Sequence, residues 1–370
     1  MRVFEVSVVT SLVALGSLAG FGVAVAQADF TFGELVNLGA TINTGEFSSP
    51  CSSADGLELY LTHDRFVGND WVGADIYVAR RATLDGEWDV PVSLGESVNA
   101  TDPDMLYAAN WLPCISANGL SLYFTHDAGE AGRIYVAKRA TKQDNWGTPV
   151  SVGMAVNAEA AWQPYISADE LELYFHSDRP GGHGESDLYV TTRASVNDEW
   201  GAPVNLGPTV NSPAWDNSPS ISPDGLLLSF GSTRPGGLGD FDVYVARRTT
   251  KTEPWGPAIN AGPIINSALY AWAPKISFDG SLLYFMSDRV GGYPPAELDD
   301  IWRASILPVV DFNADGKVDL ADLVALIDHW GTDNTLYDIG PYAWGDGKVD
   351  IQDLKAFVGQ WEKQNPPAQP

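Results

Sequence analysis

One phrase is written five times along the chain, and no other feature restricts the fold as tightly. Its third copy, from Gln163, reads QPYISADELELYFHSDRPGGHGESDLYVTTRA and then, a few residues on, EWGAPVNLGPTVNS. The proline opening each copy recurs as Pro50, Pro113, Pro164, Pro219 and Pro274, a period in the fifties with one longer first interval, as in solenoids and propellers. Each copy holds four short β-rich runs separated by turn residues such as Ala54-Asp55-Gly56, Pro223-Asp224-Gly225 and Phe278-Asp279-Gly280. Four strands per repeat is the make-up of a propeller blade.

The ends of the repeat region sharpen this reading. After the fifth copy reaches Asp300-Ile301-Trp302-Arg303, its expected fourth strand, Trp200 to Gly207 in copy three, is missing. The segment Phe32 to Gly39 matches that strand position by position, with Phe32 in the place of Trp200. The sequence therefore predicts an all-β five-bladed propeller over 29–306, closed by an N-terminal strand that completes the last blade and leaves no open sheet edge.

Most repeated polar residues read as structural. Asp55, Asn118, Asp169, Asp224 and Asp279 fall in hairpin turns. Asn43, Asn99, Asn157, Asn211 and Asn266, one per copy, are placed to bond backbone at the exit of the outer strand. Arg65, Arg179, Arg234 and Arg289 each precede an Asp that opens the third strand, namely Asp75, Asp187, Asp242 and Asp300. Copy two has Ala128 and Arg133 instead, so both partners are lost together, as a within-blade ion pair predicts. Cys51 and Cys114 share one register in neighbouring copies; equivalent positions point the same way round a ring, so the two sulfurs need not face each other.

Charge excludes some partners. Lys and Arg number 21 against 48 Asp and Glu, a formal charge of −27 that repels a phosphate backbone. Nucleic acid and anionic lipid are thus poor partners, and a hard cation such as calcium is a good one. At the N-terminus, Arg2, the apolar run Val8 to Val25 and Ala26-Gln27-Ala28 before Asp29 have the grammar of a signal peptide over 1–28. The expectation is export to an extracellular, cell-surface or periplasmic location, with no membrane span after cleavage.

Beyond a linker at 307–310 the pattern changes to an acidic helical module at 311–362, ended by a tail at 363–370. Asp311, Asn313, Asp315, the Lys317 carbonyl, Asp319 and Asp322 stand at positions 1, 3, 5, 7, 9 and 12 of an EF-hand-type calcium loop, with Gly316 at position 6. Gly347, Asp350 and Asp353 repeat Gly316, Asp319 and Asp322. Tyr342 and Trp344 fall at positions 1 and 3 of this second loop, where neither ligates well. That leaves a weaker set: Asp346, the Lys348 carbonyl, Asp350 and Asp353, with Asp338 near by. Leu323, Leu326, Ile327 and Trp330, and again Leu354, Phe357, Val358 and Trp361, have the spacing of two apolar helix faces that pack together.

The repeated I-S-x-D-G-x-x-L-Y-F-x-S-D-R-x-G-G phrase resembles the TolB-type, WD40-like β-propeller repeat, and the ring it implies is similar in its repeats to that of oligogalacturonate lyases. The duplicated loop-helix unit at about 309–362 resembles a type I dockerin, the module that docks secreted carbohydrate-active proteins onto cohesin partners. That resemblance implies calcium as cofactor and a cohesin-like partner. Leu320-Ala321 and Ile351-Gln352 stand where dockerins offer Ser or Thr to cohesin.

Aromatic residues crowd the loops expected on one face of the ring: Trp71, Trp111, Trp162, Trp215 and Trp272, with Phe47. His63, His126 and His176 lie on strands leading to that face, and His183, Glu185 and Asp240 fall in its loops. Flat aromatics among carboxylates suit a saccharide, which offers a C–H face and hydroxyls. No nucleophile motif, phosphate loop or zinc signature accompanies them. The expectation is an exported, non-enzymatic binding or scaffold protein taking carbohydrate or a protein partner on this face. The alternative is a secreted carbohydrate-active enzyme, a glycosidase or polysaccharide lyase.

Overall fold

The computed structural model describes residues 30–43, 47–68, 70–99, 108–127, 131–292, 299–313 and 315–364; the export signal read at 1–28 and Ala128 lie outside them. The described chain is mostly β, built from antiparallel meanders whose short apolar strands are separated by Asp/Asn turns. No helix among the described residues is long and apolar enough to cross a membrane.

Two meanders form separate four-stranded sheets. One runs Trp162–Ile166, Glu172–Ser177, Asp187–Thr192, Val204–Asn205, and the next Asp216–Ile221, Leu227–Ser232, Asp242–Arg247, Ile259–Asn260. Upstream, two like meanders, from Phe47–Ser52 to Val92–Ser93 and from Ala108–Ile115 to Val150–Ser151, are joined by a short parallel pairing of Gly73 with Ala108. The remaining four-stranded sheet combines both ends of the repeat region: Phe30–Asn37 pairs antiparallel with Asp300–Pro308, Phe32 opposite Ile306 and Asn37 opposite Trp302. That last strand runs on to Pro308, so it takes in the first residues read as a linker.

The repeated side chains explain why the meanders look alike. Each turn Asp or Asn accepts from the Ser two residues before it and from the backbone two residues after it, as Asp169 does from Ser167 Oγ at 2.6 Å and Leu171 N at 3.1 Å. Each repeat Asn clasps the third strand with both ends of its amide. Asn157 Nδ2 donates to Ile134 O at 2.8 Å while its Oδ1 accepts from Ile134 N at 2.9 Å, and Asn211, Asn266 and Asn99 repeat this on Leu188, Val243 and Ile76. Asn43 does the same to Ile301, so the N-terminal segment clasps the final sheet.

The arginines depart from expectation. Arg65 does pair with Asp75 at 3.4 Å. Arg234, however, pairs with Asp216 at 2.6 Å, while Asp242 accepts the loop N–H groups of Leu238 and Gly239 and the Asn260 amide. Asp187 is used in the same way by His183, Gly184 and Asn205, and Arg179 donates to Ser177 Oγ and Val156 O. A loop with several unpaired N–H groups outbids one guanidinium for the strand-opening carboxylate, and the arginine turns to carbonyls of the preceding meander.

The residues after the five prolines, Cys51, Cys114, Tyr165, Ser220 and Lys275, converge. The two thiols are free, buried and close enough to influence each other, Cys51 Sγ donating to Ser52 O at 4.0 Å and Cys114 Sγ to Ile115 O at 3.9 Å, so the shared register brings the sulfurs near. Tyr165 donates from its hydroxyl to Ile276 O at 3.1 Å, Ser220 Oγ accepts from Ile276 N at 2.9 Å, and the buried Lys275 donates from Nζ to Pro219 O at 3.1 Å.

In the tail, helices Leu320–Asp328 and Ile351–Gln364 pack through Leu323, Leu326, Leu354 and Phe357 on a small core with Val310, Val318, Ile339 and Val349. Ile327, Trp330 and Val358, read as part of that face, are exposed. The two loops are hydrogen-bonded alike. Asp311 accepts from Asp315 N and Gly316 N, and Asp322 from Phe312 N, Asn313 N and Asp319 N. Asp338 accepts from Asp346 N and Gly347 N, and Asp353 from Ile339 N, Gly340 N and Asp350 N. Asp338 thus holds the place of Asp311, and Pro341 to Trp344 form an insert that spacing alone had spread over positions 1 and 3. Within it Trp344 is buried between Phe30 and Tyr342, donates from Nε1 to Asp224 Oδ2 at 2.7 Å and accepts on its carbonyl from Arg247.

Candidate functional site

The first strand of each meander bulges just before its proline. There Ser49, Leu112, Gln163, Ser218 and Ala273 take positive φ of 52°, 58°, 52°, 53° and 49°. Left-handed backbone is costly for non-glycine residues and is kept where surrounding bonds hold it. Those bonds run from meander to meander: Leu112 N donates to Thr62 Oγ1 at 2.8 Å, Gln163 N to Thr125 Oγ1 at 3.0 Å, Ser218 N to Gln163 Oε1 at 2.9 Å, and Ser49 N to Met286 Sδ at 3.1 Å.

Above this floor lies a cavity of about 570 Å³, within the range of small-molecule sites. Trp111, Trp162, Trp215 and Trp272 form its walls with Phe47 and Phe66, and Asp64, Asp178, Glu185 and Asp299 are its carboxylates. Each wall has its own support. Trp162 stacks on His176 with ring centroids 5.7 Å apart, over Gly132, where a Cβ would collide with the indole. Trp272 Nε1 donates to Asp299 at 2.7 Å, Trp71 Nε1 to Asp64 at 2.8 Å, and Trp215 Nε1 to Glu185.

Burial raises the Asp64 carboxyl above the usual range, against the pull of the Trp71 N–H and His63. Asp299 is raised too, first by burial and then by the neighbouring charges of Asp288 and Asp300, with the Trp272 N–H opposing. Asp178 and Glu185 stand exposed at the rim. His176, lowered to about 3 by burial and by Lys275, is neutral at working pH. Its Nδ1 and the Trp111 Nε1 are buried without a hydrogen-bond partner in the protein.

The structure gathers only part of the sequence-selected set. Trp111, Trp162, Trp215, Trp272 and His176 line the cavity, and Trp71 stands behind Asp64, 5.9 Å from Trp111 between ring centroids. His63 is packed between Phe47 and Tyr77, and His126 bonds Asn110 Oδ1 at 2.7 Å and abuts Tyr135, so neither lines the cavity. Asp64, Asp178 and Asp299 were not selected. Asp64 and Asp178 stand just before the repeated Arg, inside the phrase taken as bracing.

In the tail, Asp311, Asn313, Asp315, Lys317, Asp319 and Asp322 lie in the first loop and Asp346, Lys348, Asp350 and Asp353 in the second. Among the described residues no three His, Cys, Asp or Glu side chains are drawn together as metal ligands.

No protein-family model matches the chain, and no curated protein does. Solved structures do. An α-L-arabinofuranosidase from Lactobacillus brevis aligns at TM-score 0.50 and 13% identity, over 72% of this chain and 92% of that one. A GH62 α-L-arabinofuranosidase catalytic domain from Coprinopsis cinerea gives 0.48 at 12% identity, over 76% and 98%. TolB from Acinetobacter baumannii gives 0.44 at 15%, over 70% of this chain and only 54% of that protein's length. This chain is mostly β and propeller-like in fold, similar to the α-L-arabinofuranosidase from Lactobacillus brevis.

Proposed function

We propose that the repeat region is a closed five-bladed ring whose tryptophan-walled cavity binds a saccharide and hydrolyses a glycosidic bond. Closure is supported by the pairing of Phe30–Asn37 with Asp300–Pro308 and by the Ser49–Met286 bond, which joins the first meander to the last as the other bulge bonds join neighbours.

The observation that carries the activity is a pair of desolvated carboxyl groups, Asp64 and Asp299, in an apolar aromatic cavity whose rim bears Asp178 and Glu185. Glycoside hydrolysis needs one carboxyl still protonated, to donate to the leaving oxygen, and one ionised carboxylate. Asp299 suits the first role, because burial and two like charges favour its proton. A rim carboxylate takes the proton of the attacking water. Trp111 Nε1 and His176 Nδ1, unpartnered in the protein, suit sugar hydroxyls. The test is reducing-end release from a glycan panel by the full chain, with Asp299→Asn keeping saccharide binding and losing turnover.

Non-catalytic binding is the second reading. It is favoured by the indole bonds to Asp64, Glu185 and Asp299, which fix the tryptophans as stacking platforms and occupy the carboxylates. Binding without release would select it.

The tail is proposed as a calcium-stabilised docking module on an exported protein. The like-bonded loops around Asp311 and Asp338 fit two hard-cation sites, the first ligated by Asp311, Asn313, Asp315, Lys317 O, Asp319 and Asp322, the second by Asp338, Asp346, Lys348 O, Asp350 and Asp353. Leu320, Val324 and Ile327 form an exposed stripe on the first helix, apolar where dockerins offer hydroxyls, and suit a cohesin-like partner with an apolar face. Calcium titration of the full chain, read by melting temperature, tests the sites; no shift at millimolar calcium would reject them.

A further inference from the structure

Charge inside the cavity goes further than the presence of tryptophan. Four carboxylates line it, and no lysine or arginine does among the described residues. The segments outside the description between 30 and 364 (44–46, 69, 100–107, 128–130, 293–298 and 314) contain no lysine or arginine in their sequence either. The nearest ammonium, Lys275, is below the floor, buried and donating to Pro219 O over the Tyr165 ring. His176, neutral, adds no positive charge. The field of the whole chain, at −27, has the same sign.

An anionic sugar such as a uronate or sulfated residue would enter this cavity past the rim carboxylates Asp178 and Glu185, with no lysine or arginine among the described lining residues to meet it. The polysaccharide-lyase branch of the expected function loses its usual acidic substrate on that ground. A neutral sugar meets aromatic faces but brings no positive charge to the carboxylates. A sugar bearing an ammonium group meets both: tryptophan faces attract cations through the ring quadrupole, and the rim carboxylates Asp178 and Glu185 supply ion pairs.

Resting on the saccharide reading above, we propose that the cavity selects amino-sugar oligosaccharides with free ammonium groups over neutral and acidic ones. Asp178 and Glu185 are exposed, so each ion pair adds little by itself, and the selectivity rests on one ammonium group meeting a tryptophan face and a carboxylate together.

The test is calorimetric titration of the full chain with four probes of equal length: a glucosamine oligomer, its N-acetylated counterpart, a cello-oligosaccharide and an oligogalacturonate. The glucosamine oligomer should bind at least about tenfold more tightly than the two neutral probes and weaken with added salt, and the oligogalacturonate should not bind. Asp178→Asn with Glu185→Gln should remove most of the preference for the glucosamine oligomer, and a preference kept in full would overturn the inference. Neutral probes binding as tightly as glucosamine would overturn this inference and leave the saccharide reading standing. Silence from all four probes would overturn both.

Discussion

Replacing Trp344 with alanine tests whether the insert of the second tail loop fastens the tail to the propeller. The side chain is fully buried between Phe30 and Tyr342, and its indole N–H bonds the Asp224 carboxylate at 2.7 Å. Truncating a buried tryptophan costs about 3–5 kcal/mol, and losing a hydrogen bond to a charged group about 1.5–3 kcal/mol, though the two do not add in full. A net loss of about 4 kcal/mol at this contact moves the melting of a unit the size of the tail down by roughly 15–30 °C. Scanning calorimetry of the full chain should show a tail transition separating below that of the repeat region in Trp344→Ala, and Asp224→Asn should reproduce part of it. A single transition within about 1 °C of wild type would refute the reasoning, because no fully buried indole can be removed at so small a cost.

Other outcomes follow from the same geometry. Asp55 and Asp169 are held at about 2, against 3.8 when unperturbed: burial opposes ionisation, but Lys142 or Lys251, a serine hydroxyl and a backbone N–H outweigh it. Their folded values lie below the unfolded one, so the stability they add is present above about pH 4 and fades as pH falls toward 2. Lys142→Ala should flatten the acid-side fall in melting temperature, and an unchanged slope would reject the linkage. Asp64 and Asp299, raised by burial, act with the opposite sign, opposing folding as pH rises past their folded values. Cys51 and Cys114, both buried, should resist alkylation in the reduced native protein and react once it is unfolded; stoichiometric native labelling would contradict that packing. Asn157→Ala strands Ile134 N and O without their amide partner and should cost about 2 kcal/mol in chemical denaturation; a loss under 0.5 kcal/mol would mean water replaces the clasp.

What could be read beforehand was whatever the repeats write more than once. The Asn clasp and the Asp turn recur because each meander has the same third strand to hold and the same hairpin to close, so a single residue type at one register announces its bond. The strand Phe30–Asn37 could be matched to Asp300–Pro308 because it runs into Val36-Asn37-Leu38-Gly39, the same four residues as Val204 to Gly207 in copy three. The second tail loop was misnumbered for the opposite reason. Counting back from Gly347 assumes constant length, and only the hydrogen bonds from Asp346 and Gly347 to Asp338 expose the insert. The cavity carboxylates were hidden by their surroundings in the sequence: Asp64 and Asp178 belong to a repeated phrase whose arginine drew the attention, and Asp299 adjoins the strand-opening Asp300. His63 and His126 stand off the cavity, His63 packed between Phe47 and Tyr77 and His126 against Asn110 and Tyr135, neighbours no spacing reveals.

The central claim is that the aromatic cavity hydrolyses a bound saccharide with Asp299 as proton donor. Its most direct test is the reducing-end release rate of wild type and Asp299→Asn on the tightest-binding oligosaccharide, with binding measured in parallel. The account predicts turnover by the wild type, a loss of at least about a hundredfold in the variant, and saccharide affinity within about threefold of wild type. Turnover that survives in Asp299→Asn, or its absence from a wild type that binds, would contradict it.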